Sequence, residues 1–292
     1  MNEARPVRHR SVEVDGARVF FREAGPQDGP GVLLLHGDLS SSFSFRNVMG
    51  PLGEVARVVA PDMPGFGGRT EVPDDYEITF AHVSETIDHF TQAIGLDRIF
   101  LYVHDYGSAV AYHLALQRPE RVLGLIIQNG NAHPEGLGPQ WDDTKAYWAE
   151  PTPENRATLP DWLNVDGLRD EYLGGLSDRT IDLVAPEMWE LDWSRLRRPG
   201  QVDRQFRLFE DYASHVARFD DIAAYHREHQ PPALLLWGRH DPYFSIEEVL
   251  AWHRGLDRID LHLLDGSHYL LETHHHRCAE LMCGFVAAVA QE

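Results

Sequence analysis

The stretch Val103-His104-Asp105-Tyr106-Gly107-Ser108 closes one apolar run and opens another. A strand that turns directly into a helix lifts the residue at the bend above the strand's carboxyl end, and a glycine two positions later lets helix and strand approach closely. The residue at this bend is Asp105. A carboxylate needs no base to become a nucleophile; it can displace a leaving group at saturated carbon and form an alkyl ester. Freeing that ester takes a water activated by a histidine, which a second carboxylate holds in position. Both groups follow in the chain. Gly238-Arg239-His240-Asp241-Pro242 comes after the apolar run Ala233 to Trp237, and Asp265-Gly266-Ser267-His268-Tyr269 comes after Ile259 to Leu264. Taken singly, Asp105 reads as a helix N-cap, Asp241 as a turn residue and His268 as a capping side chain. Together, in the order nucleophile, acid, histidine, each at a strand end, they read as a catalytic triad. Leu35-His36-Gly37-Asp38 follows another buried run, which places the backbone N–H groups of Asp38 and Tyr106 as an oxyanion hole.

Such a site needs strand ends side by side. Ser11 to Glu23 alternates around Asp15-Gly16, the signature of a type I′ turn, and predicts an antiparallel hairpin at a sheet edge. Gly31 to His36, Val55 to Ala60, Arg98 to His104, Val122 to Ile127, Ala233 to Trp237 and Ile259 to Leu264 are short apolar runs, as strands buried on both faces would be. Phe80, Val83, Ile87, Phe90 and Ile94 recur at helical spacing, and further helices are expected at Ser108 to Gln117, Ile246 to Arg254 and Glu272 to Ala290. Alternating strands and helices predict a mostly parallel eight-stranded sheet with helices on both faces. From residue 132 to 231 strand candidates vanish, and five of the seven tryptophans fall there. This region predicts a helical lid inserted after the sixth strand, dividing a core of residues 1–131 and 232–292; an ordinary second helical layer is the plainer alternative.

A chain of 292 residues, 43% apolar, can remove roughly 75% of its unfolded surface from water and needs neither metal nor disulfide to fold. With 26 basic against 46 acidic side chains the net charge is −20, which repels nucleic acid and anionic membranes. Cys278 and Cys283, five apart on a helical stretch, read as reduced core thiols compatible with a cytoplasmic protein. Met1 to Arg10 lacks the apolar core of a secretory signal, and no run reaches the roughly 18 apolar residues of a membrane span. Ala60 to Gly68 is glycine-rich but lacks the lysine of a phosphate loop. His274-His275-His276 suggests metal, yet consecutive helical side chains diverge, so a solvated helix start is the reading and no cofactor or metal is expected. The expected partner is a small-molecule substrate, with a homodimer left open.

The segments LLLHGDLSSSFSFRNV, APDMPGFGG, VHDYGSAVAYHLALQRPERV, LLLWGRHDPYF and LLDGSHYLLET resemble the α/β-hydrolase superfamily, and within it the branch of epoxide hydrolases and haloalkane dehalogenases. The resemblance implies the α/β-hydrolase fold and an aspartate nucleophile at Asp105. Dehalogenases of that branch hold the departing halide with a Trp after the nucleophile and often an Asn after His-Gly, where this chain has Tyr106 and Asp38. Some place the acid after the sixth strand, where this chain has Gln128-Asn129-Gly130, leaving Asp241 as the fitting carboxylate. Epoxide hydrolases use two lid tyrosines as donors to the epoxide oxygen. Tyr212 in Glu210-Asp211-Tyr212 resembles the second, and Tyr147 the first, although alignment on Glu150-Pro151 would put Thr144 there instead. His36 and Trp148 are expected at the substrate pocket. Asp38 either enters the site, as a charge or as an acid of raised pKa, or contributes its amide alone. The resemblance therefore implies an epoxide hydrolase forming a vicinal diol, with a haloalkane dehalogenase as the alternative and a non-catalytic binding protein as a third.

Overall fold

Alternate residues of the central strands enter two separate cores. Leu33, Val59, Leu101, Val103, Leu125, Ile127, Leu235 and Trp237 share one, while Val32, Leu34, Val58, Phe100, Tyr102, Ile126, Leu234 and Leu236 share the other. A strand packed on both faces has no polar side, which is why these segments are apolar throughout. The structure, a computed structural model, describes residues 6–292; positions 1–5 of the Arg-rich start lie outside the described residues.

Eight strands form the sheet: β1 (Arg8–Val14), β2 (Ala17–Ala24), β3 (Gly31–Leu34), β4 (Arg57–Pro61), β5 (Ile99–Val103), β6 (Val122–Gln128), β7 (Ala233–Gly238) and β8 (Ile259–Leu264). Their spatial order is β1-β2-β4-β3-β5-β6-β7-β8. The β1–β2 and β2–β4 pairs are antiparallel and all others parallel. Asp15 and Gly16, with φ of 50° and 78°, make the expected hairpin turn at the edge. The third strand ends at Leu34, earlier than the apolar run suggests, because His36 leaves the ladder to receive the Met63 N–H on Nε2 at 2.9 Å.

The helices are α1 (Met49–Leu52), α2 (Phe80–Ala93), α3 (Gly107–Gln117), α4 (Asp142–Ala149), α5 (Pro153–Arg156), α6 (Val165–Leu173), α7 (Asp178–Ile181), α8 (Glu187–Leu196), α9 (Gln201–Val216), α10 (Phe219–His229), α11 (Glu247–Gly255) and α12 (Leu270–Val289). Helices α2, α3 and α11 pack into the first core, and α1 and α12 into the second, so both faces of the sheet are covered. Cys278 is buried and Cys283 half-buried, both free. Helix α12 kinks at His274 (φ −125°, ψ 21°), so the three histidines straddle a bend. No helix of the described residues is long and apolar enough to cross a membrane.

All of α4 to α10 lies between β6 and β7, with no strand among them. Buried Glu248 of α11 anchors the start of this segment. Its carboxylate accepts the Ala132 N–H at 2.8 Å, the Asn131 amide at 3.0 Å and His133 Nδ1–H at 2.9 Å.

Candidate active site

Asp105 occupies the bend between β5 and α3 with φ of 47°, a left-handed conformation that costs a non-glycine residue about 1–3 kcal/mol. The bend is tight because α3 starts against the end of β3. A Cβ added to Gly107 would lie 2.6 Å from the Leu35 carbonyl oxygen and 2.9 Å from that of His36. The side chain of Asp105 therefore points away from the helix it precedes and does not cap it. Instead its Oδ1 accepts the Asp38 backbone N–H at 2.5 Å.

Its other oxygen, Oδ2, stands 3.6 Å from His268 Nε2. His268 lies in the loop after β8, and its Nδ1 donates to Asp241 Oδ2 at 3.0 Å. Asp241 is immobilised on both oxygens. Oδ1 accepts the backbone N–H groups of Tyr243 at 2.7 Å and Phe244 at 3.2 Å, while Oδ2 also accepts the Asn129 side-chain amide at 2.7 Å. Asn129 is itself locked, accepting Gly238 N–H at 2.9 Å and donating to the Gly238 carbonyl at 3.2 Å. The three strand ends thus bring Asp105, His268 and Asp241 into one line. Asn129 adds a fixture that spacing alone did not reveal, at the strand end where the resemblance offered an alternative acid.

Burial would raise the pKa of Asp105, but the contact with His268, its charge and the Asp38 N–H bring it down to about 2. Burial would lower that of His268, yet Asp241 and Asp105 hold it up at about 10. The resting pair is therefore carboxylate and imidazolium. Behind it, His104 donates Nδ1–H to the Gln128 carbonyl at 2.9 Å and packs on His268 with ring centres 4.9 Å apart. Burial and the His268 charge push His104 down to about 4, which keeps it neutral.

Asp105 and His268 open onto a cavity of about 250 Å³. The strand ends contribute Asp38, Tyr106, Tyr243 and Tyr269 to its wall; the helical segment contributes Trp141, Thr144, Trp162, Glu171 and Phe209. Asp38 enters the site with its side chain as well as its amide. Burial and the Asp105 charge drive its carboxyl well above the ordinary range, which favours the protonated acid, while the Leu39 N–H at 2.9 Å on its Oδ1, the Trp162 side chain and the His268 charge oppose the rise.

Several expected pocket residues sit elsewhere. His36 is fully buried beneath the loop, its Nδ1 donating to the Gly37 carbonyl at 2.9 Å and its ring edge-on to Phe66. It shapes the backbone at Asp38 and does not line the cavity. Trp148 gives its indole N–H to the Phe209 carbonyl at 3.0 Å, tying α4 to α9 from outside the wall. Tyr147 turns the same way, donating its hydroxyl to Glu210 at 2.5 Å, and Thr144 one turn earlier faces the cavity in its place. Tyr212 is buried and stacks on Tyr106 with ring centres 4.9 Å apart, one layer behind the wall. Its hydroxyl has no hydrogen-bond partner among the described residues, and the strongest neighbouring charge acting on it is Asp105.

The alpha/beta hydrolase fold family matches residues 30–275 of the chain. An uncharacterised hydrolase of Saccharomyces cerevisiae is 34% identical over 270 residues, covering 91% of this chain and 92% of its own. A haloalkane dehalogenase of Bradyrhizobium diazoefficiens is 38% identical over 127 residues, 44% of this chain and 40% of that protein. Epoxide hydrolase 2 of Siraitia grosvenorii is 31% identical over 121 residues, 41% of this chain and 38% of that protein. Among solved structures, an ancestral haloalkane dehalogenase superposes with a TM-score of 0.74 at 25% identity, over 97% of this chain and 100% of that one.

Proposed function

Since this chain belongs to the α/β-hydrolase family and is a hydrolase of that fold, we propose that it works through an alkyl ester on Asp105 and converts an epoxide to a vicinal diol. The observation that carries this reading is the Asp105 carboxylate, fixed by the Asp38 N–H at 2.5 Å, set 3.6 Å from His268 Nε2 and open to the cavity. An ionised oxygen there attacks a ring carbon and the C–O bond breaks. Esterification removes the Asp105 charge that helps keep His268 protonated, so the imidazole can yield its proton and become a base. It then takes a proton from water, hydroxide adds to the Asp105 carbonyl carbon, and the Asp38 and Tyr106 N–H groups receive the oxyanion. Collapse returns the carboxylate and releases the diol. Helices α4 to α9 form the lid over this chemistry.

Two features favour epoxide over haloalkane. A departing halide needs N–H donors around it and no proton, whereas a departing alkoxide needs a proton. Next to Asp105 stand Tyr106 and the Asp38 carboxyl, whose raised pKa suits it to give a proton, not a pair of N–H side chains. Trp141 spends its indole N–H on the Tyr243 carbonyl at 2.7 Å, leaving Trp162 alone as a tryptophan donor on the cavity wall.

The test is intact mass spectrometry of the His268→Gln variant incubated with a panel of epoxides and haloalkanes. The expected result is an adduct on Asp105 heavier by one whole epoxide. An adduct from haloalkanes alone, lighter by the hydrogen halide, would replace this reading with dehalogenation.

A further inference from the structure

Opening an epoxide creates an alkoxide, and the two lid tyrosines that the resemblance implies supply it poorly with a proton. Tyr212 lies behind the cavity wall, and burial and Asp105 drive its phenol well above its ordinary pKa. Tyr147 is turned to Glu210. The cavity holds another candidate. Glu171 of α6 lies on the part of the wall contributed by the helical segment, at 8% exposure, and its carboxyl makes no hydrogen bond among the described residues. Its oxygens face the cavity and are free to bond what the cavity holds. Helix α6 commits it there, since Leu168, Glu171 and Tyr172 form its buried face while Asp166 and Asp170 are exposed.

Resting on the epoxide reading, we propose that Glu171, with Asp38 beside it, is the acid that protonates the ring oxygen as Asp105 attacks, and that recovers its proton from His268 before the ester is hydrolysed. The balance closes. Ring opening consumes the Asp105 negative charge and one proton from Glu171, leaving a neutral hydroxy-ester and a Glu171 carboxylate. The Glu171 carboxylate then takes the proton that His268 carries at rest, which frees the imidazole as a base; hydrolysis of the ester regenerates the Asp105 carboxylate and releases one proton, which restores the imidazolium. Epoxide and water have then become diol, and both carboxyls have returned to their starting states.

The surroundings favour the protonated form of Glu171. Among the described residues no Lys or Arg lines the cavity. Burial raises its pKa well above the ordinary range, Asp38 and Asp105 add to the rise, and His268 opposes it. From α8, Asp192 also raises it, although that carboxylate is itself held by Arg195 at 2.8 Å and the Tyr172 hydroxyl at 2.6 Å. The remaining titratable neighbours are the neutral phenols of Tyr106, Tyr172, Tyr243 and Tyr269. Asp241 already pairs with the imidazolium, so of the three carboxyls that face the cavity one carries a negative charge comfortably, and Asp105 takes it because it has the N–H and the imidazole.

The experiment measures ester formation from p-nitrostyrene oxide across pH by rapid quench and intact mass, in His268→Gln with and without Glu171→Gln. Glutamine keeps the shape and removes the proton; thermal melting checks that the fold is retained. The expected result is ester formation slower by about 10²-fold, with loss of the alkaline limb along which the rate falls as Glu171 ionises. Asp38→Asn, which removes a neighbouring carboxyl whose ionisation competes with that of Glu171, should keep that limb and move it to lower pH. Unchanged rates, or a uniform slowing with the limb preserved in Glu171→Gln, would overturn the assignment and leave Glu171 a structural residue. No ester from any epoxide in His268→Gln itself would instead sink the epoxide reading, and this inference with it.

Discussion

Replacing Asp241 by Asn should separate the two chemical steps, and the structure fixes why. Asp241 Oδ1 accepts two backbone N–H groups, from Tyr243 and Phe244, so the amide oxygen of an asparagine must settle there. Its NH2 group then takes the place of Oδ2, facing two donors, the Asn129 amide at 2.7 Å and His268 Nδ1–H at 3.0 Å. Donors cannot face donors. His268 relieves the conflict by losing its Nδ1 proton and keeping the one on Nε2, the nitrogen 3.6 Å from Asp105 that must accept a proton from water. The variant also loses an attraction of ~5 kcal/mol, the Coulomb energy of unit charges 3.0 Å apart at an effective dielectric of 20. The imidazole therefore has the wrong tautomer and a lower basicity. Ester hydrolysis should slow by about 10⁴-fold, while ester formation, which does not use His268 as a base, stays near its normal rate. In stopped-flow mixing with p-nitrostyrene oxide, the expected trace is a full burst of substrate loss followed by almost no turnover, with the ester visible by intact mass. Turnover at the parent rate, or an equal fall in both steps, would refute the assignment of the imidazole to hydrolysis.

Tyr212→Phe removes a hydroxyl that is buried and unpartnered behind the cavity wall, so the unfolding temperature should rise or hold; a stability loss above about 1 kcal/mol would mean the hydroxyl has a structural partner. His268 should also leave a mark on the pH dependence of stability. Its folded pKa of about 10 exceeds the unfolded 6.5, so its stabilisation is complete below about pH 6.5 and is lost as pH rises toward 10. Calorimetry across that window should show a smaller decline in His268→Gln than in the parent, and identical slopes would contradict the pairing. Glu248→Ala strips three donors of their acceptor in a fully buried site and should cost about 3–5 kcal/mol in urea unfolding. Glu248→Gln, which keeps an acceptor, should cost less.

The sheet and the bend at Asp105 were legible because each rests on local chemistry. Buried strands must be apolar on both sides, the turn at Asp15-Gly16 needs left-handed residues, and a strand-turn-helix leaves the Asp105 side chain nowhere to go but up. Asp241 and His268 were legible for the same reason, as polar residues directly after apolar runs. The helical segment was not legible in this way. Rotating α4 by one residue moves a side chain by about 100°, enough to exchange Tyr147 for Thr144 at the wall, and nothing in AYWAEP fixes that phase. His36 looked available beside Gly37, but its two nitrogens were already claimed by the backbone at Gly37 and Met63. Glu171 did carry a signal, in its place on the apolar stripe with Leu168 and Tyr172, where a carboxyl has no ordinary reason to be. Its meaning depended on Asp38 and Asp105, which lie far from it in sequence and are brought near by the fold.

The anchoring of residues 131–133 by Glu248 bears on how a substrate enters. One end of the helical segment is nailed to α11 through three hydrogen bonds, and His215 of α9 adds a fourth to the Asn131 carbonyl at 2.9 Å. Gln140 and the Trp141 indole extend the mount by bonding the Tyr243 carbonyl at 2.6 and 2.7 Å, so the chain enters α4 already fastened to the strand-end loops. Pro160 and Trp162, which line the cavity from the approach to α6, lie beyond that fastening, and a change of shape that admits a ligand is expected there first.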